Sequence, residues 1–496
     1  MNLHGKRVLV MGLGVHGGGL GVARWLLRQG ASVTVTDMAS PAALAEPLAA
    51  LEAAATDLGA SVAYTLGEHR AADVTSADLV VANPAVRPDS PWLALAHAAG
   101  VPVETEMTLF FRACRGPLLG VTGTKGKTTT TLLLAAMLRE RFPTTVVAGN
   151  LRVSALEALA TIDTTTPVVL ELSSFQLERL GAAGLSPPFS LITNLSPDHL
   201  NWHGSLEAYA AAKRQIYWHQ PATGVVALNG ADDGSVAAFP LAAGAYRYPG
   251  RLIAVCAGPA WSAEASAYRR HAAVTVTLRG ATVHWDDRAA AFGAISPAGG
   301  EPLFARDDLR LPGAHNLANA MLAAALARAF GVEAGAIRAA LQGFSAVEHR
   351  LELVREVEGV RYVNDTTATN PAAALAALAA LTTPIVLIAG GADKELTFEA
   401  LGAAIAGRVK ALVLLAGTAT PRLAAAVQAG QASATGRGVP MTIAGPYDDL
   451  AAAVRAAREL AAPGDTVLLS PGCASFGMFR NEFHRGDVFR RIVGEL

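Results

Sequence analysis

The residues best suited to chemistry lie between Gly120 and Thr131, in the segment GVTGTKGKTTTT. An apolar run, Pro117 to Val121, leads into this glycine-rich turn, and a helical pattern follows it. Such a turn directs successive backbone N–H groups and a helix N-terminus toward one point, which suits a polyphosphate. Lys127 can place its ammonium between the β- and γ-phosphates, and the Thr128 hydroxyl can bind the accompanying Mg²⁺. We therefore predict a site for ATP or a related nucleotide.

The glycine spacing differs from that of the standard phosphate-binding loop. In the standard spacing a glycine would stand five positions before Gly126, at Val121, whereas the glycines here are Gly120, Gly123 and Gly126. The alternative is a glycine-rich loop that merely precedes a buried helix. Such a loop rarely requires the sequence Gly-Lys-Thr-Thr, so we favour the nucleotide site.

Lysine is rare in this chain. Lysines and arginines together number 40, yet only six are lysines. Since arginine serves where a surface charge is enough, a retained lysine is a candidate for chemistry that arginine cannot perform, such as phosphate binding by a point charge. The lysines are Lys6, Lys125, Lys127, Lys213, Lys394 and Lys410.

The N-terminal segment carries a nucleotide-binding fingerprint. A predicted strand, Arg7 to Met11, leads into a glycine-rich turn that contains Gly14, then a helix and a second strand that ends at Asp37. Asp37 could accept a hydrogen bond from a ribose hydroxyl. Taken alone, the fingerprint indicates a dinucleotide such as NAD, but extra glycines after Gly14 weaken that interpretation. Asn83 ends a further predicted strand, where α/β sheets place their ligands.

Two polar groups follow strands of the second segment. Glu171 lies near the end of the predicted strand Val168 to Leu172, where its carboxylate could hold Mg²⁺ or could simply be solvated. Asp198 and His199 follow the predicted strand Ser190 to Asn194 and could approach a metal. The alternative for this pair is ordinary loop structure.

Lys213 stands in an otherwise apolar turn of a predicted helix, Tyr209 to Ile216. A half-buried amine has a lowered pKa, because burial disfavours its charged form. Such an amine can take up CO₂ as a carbamate and then bind a metal as a carboxylate does. The alternative is a lysine whose stem is buried and whose charge reaches solvent.

The length, 496 residues, predicts several domains rather than one. Alternating strand and helix patterns predict an α/β fold, with a β-rich part from about residue 245 to 308 and a hairpin at Arg279-Gly280. We divide the chain into domains of residues 1–113, 114–346 and 347–496. The third domain should contain a second doubly wound sheet.

Composition excludes several functions. The net charge of −1 gives no reason to expect nucleic acid as a partner. No apolar run reaches membrane-spanning length, and the first residues enter a strand without a signal-peptide pattern. The cysteines Cys114, Cys256 and Cys473 have no metal-binding spacing and fit a reducing compartment. We expect a cytoplasmic protein.

Several motifs recur in the order known from one family. They are the variant phosphate loop (Gly120 to Thr131), Glu171, His199, Lys213, the segment Gly313-x-His-Asn316-x-x-Asn319, the pair His349-Arg350 and the strand end Asn364-Asp365. The chain resembles the Mur ligase family of peptidoglycan synthesis over essentially its whole length. The resemblance implies a Rossmann-like N-terminal domain, a central P-loop ATPase-like domain with added β structure, and a Rossmann-like C-terminal domain.

Two segments narrow the resemblance. LELSSFQLE, from Leu170 to Glu178, and the tail from Ser470 to Gly486 are similar to those of the ligase that adds glutamate to UDP-N-acetylmuramoyl-L-alanine (UDP-MurNAc-L-Ala). The implied reaction passes through an acyl phosphate, and D-glutamate is expected over L-glutamate. The open alternatives are a related ligase for another amino acid, folylpolyglutamate synthase, an NAD-dependent oxidoreductase and a catalytically silent paralogue. We also expect a monomer.

The resemblance implies roles for individual residues. Catalytic roles fall to Lys127, Glu171, His199, Lys213 and Lys394. Two Mg²⁺ ions are implied, with ligands from Thr128, Glu171, His199 and carbamylated Lys213. ATP contacts are implied for Gly123, Thr124, Lys125, Gly126, Lys127, Thr128, Thr129, Asn316, Arg350 and Asp365. Substrate contacts are implied for Gly14, Asp37, Asn83, Asn150, Ser173, Thr369, Lys394, Ser475 and Phe476.

The sequence departs from the family at the amino-acid site. Thr367 stands where the family commonly has a lysine, which removes one cation. The order Asn481-Glu482-Phe483 differs from the family's usual aromatic contact with the amino acid. These departures leave the choice of amino acid to be tested.

Overall fold

The protein is described here from a computed structural model. The described residues are 2–14, 18–150, 154–239, 248–257, 266, 269–287, 300–311, 313–344, 348–393, 396–433 and 441–496. They form two compact units, Met1–Arg310 with Ala314–Phe344 and Leu311–Gly313 with Ser345–Leu496. The strands of the described residues form three sheets. The predicted α/β class is thereby confirmed, whereas the domain boundaries after residues 113 and 346 stay predictions.

The first sheet, in unit 1, is parallel, with strand order β3-β2-β1-β4-β5. Its strands are Arg7–Met11 (β1), Ser32–Asp37 (β2), Val62–Leu66 (β3), Leu79–Ala82 (β4) and Val103–Glu104 (β5). Its helices are Gly18–Arg28, Ala45–Asp57, Ala71–Thr75, Pro91–Ala98 and Glu106–Ala113. The strand order reverses beside β1, so the turn after β1 and Asn83 after β4 meet at the carboxyl edge where such sheets bind ligands.

The second sheet, also in unit 1, has the order β14-β13-β12-β11-β10-β9-β6-β8-β7. Its strands are Leu118–Thr122 (β6), Val146–Gly149 (β7), Val168–Glu171 (β8), Phe189–Ile192 (β9), Val225–Asn229 (β10), Arg251–Cys256 (β11), Val274–Arg279 (β12), Thr282–Asp287 (β13) and Glu301–Ala305 (β14). Strands β12 to β14 are antiparallel, which confirms the hairpin predicted at Arg279-Gly280. The other pairings are parallel, so the ends of β6, β8 and β9 share one edge.

Helices of several lengths cover the second sheet. They are Lys127–Arg139, Ala155–Ala158, Ser174–Ala182, Leu200–His203, Leu206–Trp218, Asp233–Ala238, Ala314–Ala329 and Ala334–Gly343, with 3₁₀ turns at Leu159–Thr161 and Arg306–Asp308. One hydrophobic core joins both sheets of unit 1, since it includes Val10 of β1, Phe110 of the helix before β6, and Leu170 of β8. The phosphate loop therefore lies on a well-packed support.

The third sheet forms unit 2, with the order β15-β16-β20-β17-β18-β19. Its strands are Glu352–Val357 (β15), Val360–Asn364 (β16), Ile385–Ala389 (β17), Val409–Leu415 (β18), Thr442–Tyr447 (β19) and Thr466–Leu469 (β20). Only the β15 pairing is antiparallel among these strands. The helices are Pro371–Ala380, Glu399–Arg408, Thr420–Ser433, Leu450–Leu460 and Glu482–Gly494. This sheet is the second doubly wound sheet that the sequence predicts.

No helix in the described part of the chain is both long enough and apolar enough to span a bilayer.

Candidate active site

The phosphate loop has a left-handed backbone, which favours glycine, at two positions. Gly126 precedes the helix Lys127–Arg139 and has a φ of 79°. Gly123 has a φ of 147°, and a Cβ there would lie 1.9 Å from the Thr193 hydroxyl oxygen. A side chain at either glycine would strain the left-handed backbone. The variant glycine spacing thus matches the shape of this loop.

The segment after β9 holds the loop in place. The Thr124 N–H donates to the Asn194 carbonyl oxygen at 2.9 Å, and the Lys125 N–H donates to Asn194 Oδ1 at 2.9 Å. Asn194 Nδ2 donates back to the Lys125 carbonyl oxygen at 2.9 Å. Sequence reasoning assigned Asn194 only to a strand. Its position at the carboxyl end of the predicted strand, at the same edge as the loop, was the available signal.

Two lysines meet at one carbonyl of the loop. Lys127 Nζ donates to the carbonyl oxygens of Gly123 and Thr124, each at 3.2 Å. Lys213 Nζ donates to the same Gly123 oxygen at 2.9 Å. The structure therefore brings Lys213, on the helix Leu206–Trp218, next to the phosphate loop, as a role at that site requires.

Lys213 is buried, with only 1% of its surface exposed. Burial lowers the pKa of its ammonium well below the usual value, and the nearby positive charge of Lys127 lowers that pKa further. The carboxylates of Asp198 and Glu171 oppose the change. The Lys213 ammonium also lies 4.6 Å from the centre of the Tyr209 ring. The alternative of a lysine whose charge reaches solvent does not fit this burial.

Glu171 ends β8 and is 2% exposed. Asn150 Nδ2 donates to Glu171 Oε1 at 2.9 Å. Glu171 Oε2 is buried and has no hydrogen-bond partner within the described ranges. A buried carboxylate oxygen without a partner is costly unless it binds a proton, a donor or a cation. This oxygen fits a Mg²⁺ ligand, because Mg²⁺ prefers carboxylate oxygens.

Asp198 and His199 lie beside the loop but are only half buried. Lys125 Nζ forms a salt bridge with Asp198 at 3.3 Å. His199 has a φ of 52°, and its ring centre lies 5.0 Å from that of Phe175. Burial lowers the pKa of His199 despite the Asp198 carboxylate, so its ring is a neutral nitrogen donor at pH 7. Where residues are described, no group of three or more His, Cys, Asp and Glu side chains could hold a metal by itself.

The first two turns of the helix Ala314–Ala329 lie near the phosphate loop. A Cβ on Gly126 would lie 2.6 Å from Asn319 Oδ1. Asn319 Nδ2 donates to Asn316 Oδ1 at 3.5 Å, so the predicted ATP contact Asn316 lies near the loop as well. Asn319 is absent from the predicted contacts, although the Gly-x-His-Asn-x-x-Asn motif contains it.

The predicted uridine residues meet at the carboxyl edge of the first sheet. The Gly14 N–H donates to Asp37 Oδ2 at 3.1 Å, and Asn83 Nδ2 donates to the Gly12 carbonyl oxygen at 3.4 Å. Glu106, which sequence reasoning missed, lines the same cavity with Asn83 and Gly12. Burial raises the pKa of Glu106 although Ser154 Oγ donates to it at 2.5 Å.

Ser173 caps the helix Ser174–Ala182 in this structure. Its Oγ accepts from the Gln176 N–H at 3.3 Å and donates to Gln176 Oε1 at 2.9 Å. The predicted contact with the substrate must therefore be compatible with a capping role. Ser173 follows Glu171 by two residues, which places it at the edge that carries the phosphate loop.

Asp365, a predicted ATP contact in unit 2, lies at the carboxyl edge of the third sheet. Asp365, after β16, accepts from Ser470 Oγ at 2.7 Å and from the Leu351 N–H at 3.2 Å. Burial raises the pKa of Asp365 to about 7, while these donors and the charge of Arg350 oppose the shift.

The other predicted residues of unit 2 differ in exposure. The Ser475 hydroxyl is buried and lacks a hydrogen-bond partner in the described part of the chain, whereas Phe476 is 56% exposed. The Thr369 N–H donates to the Thr367 carbonyl oxygen at 2.9 Å. Lys394 lies outside the described residues.

Three family descriptions match consecutive parts of the chain. "Mur ligase MurD-like, N-terminal domain" matches residues 6–105, "Mur ligase middle domain" matches 121–327 and "Mur ligase, glutamate ligase domain" matches 349–473. The UDP-N-acetylmuramoylalanine–D-glutamate ligase of Roseiflexus sp. (strain RS-1) is 55% identical over 99% of this chain and 99% of its own. The enzyme of the same name from Symbiobacterium thermophilum is 37% identical over 99% and 98%.

A solved structure shares the fold at low identity. The UDP-N-acetylmuramate–alanine ligase MurC of Thermotoga maritima has a TM-score of 0.59 and 19% identity, over 99% of both chains. Three α/β sheets, with a glycine-rich loop before the helix Lys127–Arg139, are typical of a multidomain nucleotide-binding protein. The chain belongs to the Mur ligase family, whose members depend on ATP and act on small-molecule substrates.

Proposed function

We propose that this protein joins D-glutamate to UDP-N-acetylmuramoyl-L-alanine at the expense of ATP, in the synthesis of peptidoglycan precursors. The observation that carries the proposal is the 55% identity, over 99% of both chains, to a relative named for that reaction. The match of residues 349–473 to a glutamate ligase domain supports glutamate as the amino acid. Since ATP and UDP-linked sugars are cytoplasmic metabolites, we place the reaction in the cytoplasm.

The first proposed step transfers the γ-phosphoryl group of ATP to the free carboxylate of the muramoyl-alanine. This step forms an acyl phosphate and releases ADP. Lys127 and the N–H groups of the loop stabilise the phosphate charge that develops. The ammonium is already close to the loop, at 3.2 Å from the Gly123 and Thr124 oxygens, so little rearrangement is needed to reach a phosphate.

The second proposed step is attack of the glutamate amine on the acyl phosphate. As the neutral amine forms the C–N bond, the C–O bond to the phosphate breaks, inorganic phosphate leaves, and the nitrogen releases one proton to solvent. We assign the glutamate carboxylates to Thr369, Lys394 and Ser475, with Phe476 beside them. The uridine end is assigned to Gly14, Asp37 and Asn83, in place of the NAD that the fingerprint alone indicates.

Mg²⁺ would be held by Thr128, Glu171, His199 and Lys213, the last as a carbamate. The chemical supports are the unpartnered Glu171 Oε2, a neutral His199 and a buried Lys213 amine whose pKa is lowered. When bound, the two ions would neutralise phosphate charge and polarise the phosphoryl group. Asn150, which donates to Glu171 Oε1, orients that carboxylate and is also assigned to the muramoyl-alanine.

We assign ATP to Gly123, Thr124, Lys125, Gly126, Lys127, Thr128, Thr129, Asn316, Arg350 and Asp365. Monomeric action remains a prediction that sedimentation of the full chain can test.

An ADP-release assay tests the proposal. The full-length protein is supplied with ATP, Mg²⁺, UDP-MurNAc-L-Ala and one amino acid at a time, including D-glutamate, L-glutamate and D-alanine. Among these amino acids, we expect only D-glutamate to support sustained ADP release. The product should then be heavier than UDP-MurNAc-L-Ala by one glutamate residue. Sustained release without the UDP substrate, or a preference for another amino acid, would contradict the proposal.

A further inference from the structure

A buried arginine lies behind the edge of the third sheet. Arg485 belongs to the helix Glu482–Gly494 and is 1% exposed. Its Nε donates to Thr366 Oγ1 at 2.9 Å, and its Nη2 donates to the Thr366 carbonyl oxygen at 2.8 Å. Nη1 and Nη2 each donate to the Cys473 carbonyl oxygen at 3.4 Å. Among the described residues, the partners of this guanidinium are all neutral oxygen atoms.

The positive charge of Arg485 has no bonded counter-charge. Within the described ranges, no carboxylate forms a salt bridge with it. Burial lowers the pKa of Arg485 to about 10, and the field of Glu482, three residues earlier, opposes that shift. The side chain thus stays charged near pH 7. Burying an unpaired charge is costly, so its retention calls for a reason.

The acceptors of Arg485 come from two loops of one sheet edge. Thr366 follows β16 and begins the segment that carries Thr369, whereas Cys473 follows β20 and precedes Ser475 by two residues. Strands β16 and β20 are parallel neighbours, so their carboxyl ends lie side by side. The Arg485 guanidinium therefore forms hydrogen bonds with both loops.

The Thr366 hydroxyl takes part in two hydrogen bonds, as a donor in one and as an acceptor in the other. Thr366 Oγ1 donates to the Glu482 carbonyl oxygen at 2.8 Å, so its oxygen is free to accept from Arg485 Nε. These two hydrogen bonds connect the first turn of the helix Glu482–Gly494 to the loop after β16. On the other loop, the buried Ser475 hydroxyl keeps its hydrogen-bonding capacity, because nothing in the described residues uses it.

We infer that Arg485 is a positioning residue for the acidic amino-acid substrate. It holds the Thr366–Thr369 and Cys473–Ser475 loops at a fixed separation and supplies a positive potential to the carboxylates that bind there. The inference rests on the proposed function and assigns to the same site a residue that does not touch the substrate. In low-dielectric surroundings such a charge acts over several ångströms without direct contact.

Substitutions that separate charge from hydrogen bonding test the inference. Arg485→Met removes both, Arg485→Lys keeps the charge but loses the planar fork, and Thr366→Val removes one acceptor. Arg491→Met, at an exposed position of the same helix, is the matched control. Initial rates of the full chain are measured against D-glutamate and, separately, against ATP, after thermal melting has shown that each variant is folded.

We expect Arg485→Met to raise the KM for D-glutamate about tenfold or more while the KM for ATP changes less than about threefold, as loss of substrate positioning requires. Arg485→Lys should recover part of the increase, Thr366→Val should show a smaller one, and the control should match the wild type. Equal changes in both KM values, or no change for D-glutamate, would overturn the inference. Should Arg485→Met fail to fold, the lysine and valine variants carry the same comparison.

Failure of the inference about Arg485 can be distinguished from failure of the proposed function. If the wild type ligates D-glutamate and Arg485→Met keeps its KM, only the inference about Arg485 fails. If the wild type instead ligates another amino acid, the proposed function fails, and the KM for that amino acid then tests Arg485.

Discussion

The chemistry of Lys213 is set by its surroundings. An exposed lysine is protonated at pH 7, whereas burial against the Gly123 carbonyl and near Lys127 favours the neutral amine of Lys213. A neutral amine can attack CO₂, and the resulting carbamate would place a negative charge near Glu171. Loss of this amine should therefore affect metal binding more than folding.

We expect Lys213→Ala to lower the rate of ADP release by about a hundredfold or more, since it removes a group assigned to the metal. Acetate or formate should restore part of the activity by occupying the space of the carbamate. Lys6→Ala, at an exposed position, is the control and should be unaffected by either anion. Full activity of Lys213→Ala would show that the metal role assigned to this amine is wrong.

Asp365 should make the stability of the protein depend on pH. Its pKa rises from 3.8 to about 7 on burial, so the folded chain holds a proton that the unfolded chain has released at intermediate pH. The stabilisation is fully present below pH 3.8 and is lost as pH rises through about 7, by at most about 4 kcal/mol. The melting temperature of the nucleotide-free chain should therefore fall between about pH 5 and pH 8.

Asp365→Asn can keep the bonds to Ser470 and Leu351 with an amide that does not titrate. We expect a weaker fall in melting temperature over the same pH range for this variant. Asp57→Asn, at an exposed position, should retain the slope of the wild type. If the melting temperature of Asp365→Asn falls with pH as steeply as that of the wild type, titration of Asp365 does not contribute to the pH dependence of stability.

At the level of elements, the N-cap residue of the helix Lys127–Arg139 lies against the second turn of the helix Ala314–Ala329. Gly126 has a φ of 79°, and a Cβ there would lie 2.6 Å from Asn319 Oδ1. Gly126→Ala should combine backbone strain of about 1–2 kcal/mol with displacement of Asn319, and so weaken ATP binding. Gly100→Ala shares the positive φ of 69° but meets no atom within 4 Å.

Calorimetric titration with ATP and Mg²⁺ distinguishes the two glycine variants. We expect both to lose some thermal stability, but only Gly126→Ala should lose affinity for ATP by about tenfold or more, which is about 1.4 kcal/mol. Equal ATP affinity of the two variants would show that the close approach to Asn319 is not needed for binding.

Buried strands were the elements that the sequence predicted best. Strands Arg7–Met11 and Val168–Glu171 lie where the apolar runs indicated, because parallel strands covered on both faces are apolar throughout. The phosphate loop was equally clear, because its left-handed glycines can be replaced by few other residues. A local sequence pattern was therefore enough to predict those elements whose residue types are determined by their own backbone geometry and burial.

Partners distant in sequence could not be predicted in this way. Asn194 and Asn319 support the loop from other elements, and the partly buried Glu106 bonds to Ser154, which is 48 positions away. Arg485 belonged to a recognised motif, but its contacts with Thr366 and Cys473 depend on how a terminal helix packs against two strand ends. Such contacts follow from tertiary packing and have no local sequence pattern.

At the level of the whole molecule, the proposed metal site draws its ligands from separate elements. Glu171 ends β8, His199 follows β9 and Lys213 lies on the helix Leu206–Trp218. In the described ranges no cluster of three acidic, histidine or cysteine side chains exists to hold an ion alone. Mg²⁺ commonly binds through one or two carboxylates together with substrate phosphates. We therefore expect the ion to bind together with the nucleotide.

Thermal melting of the full chain tests this expectation. EDTA should leave the melting temperature of the ligand-free protein unchanged, whereas a non-hydrolysable ATP analogue with Mg²⁺ should raise it. Ligand at a hundred times its Kd adds about 2.7 kcal/mol of stability, an effect that EDTA should reverse in large part. Glu171→Gln should reduce the Mg²⁺-dependent part of the increase, because its amide replaces the unpartnered carboxylate oxygen. A clear drop in the melting temperature of the ligand-free wild type on adding EDTA would instead reveal a resident ion and refute joint binding.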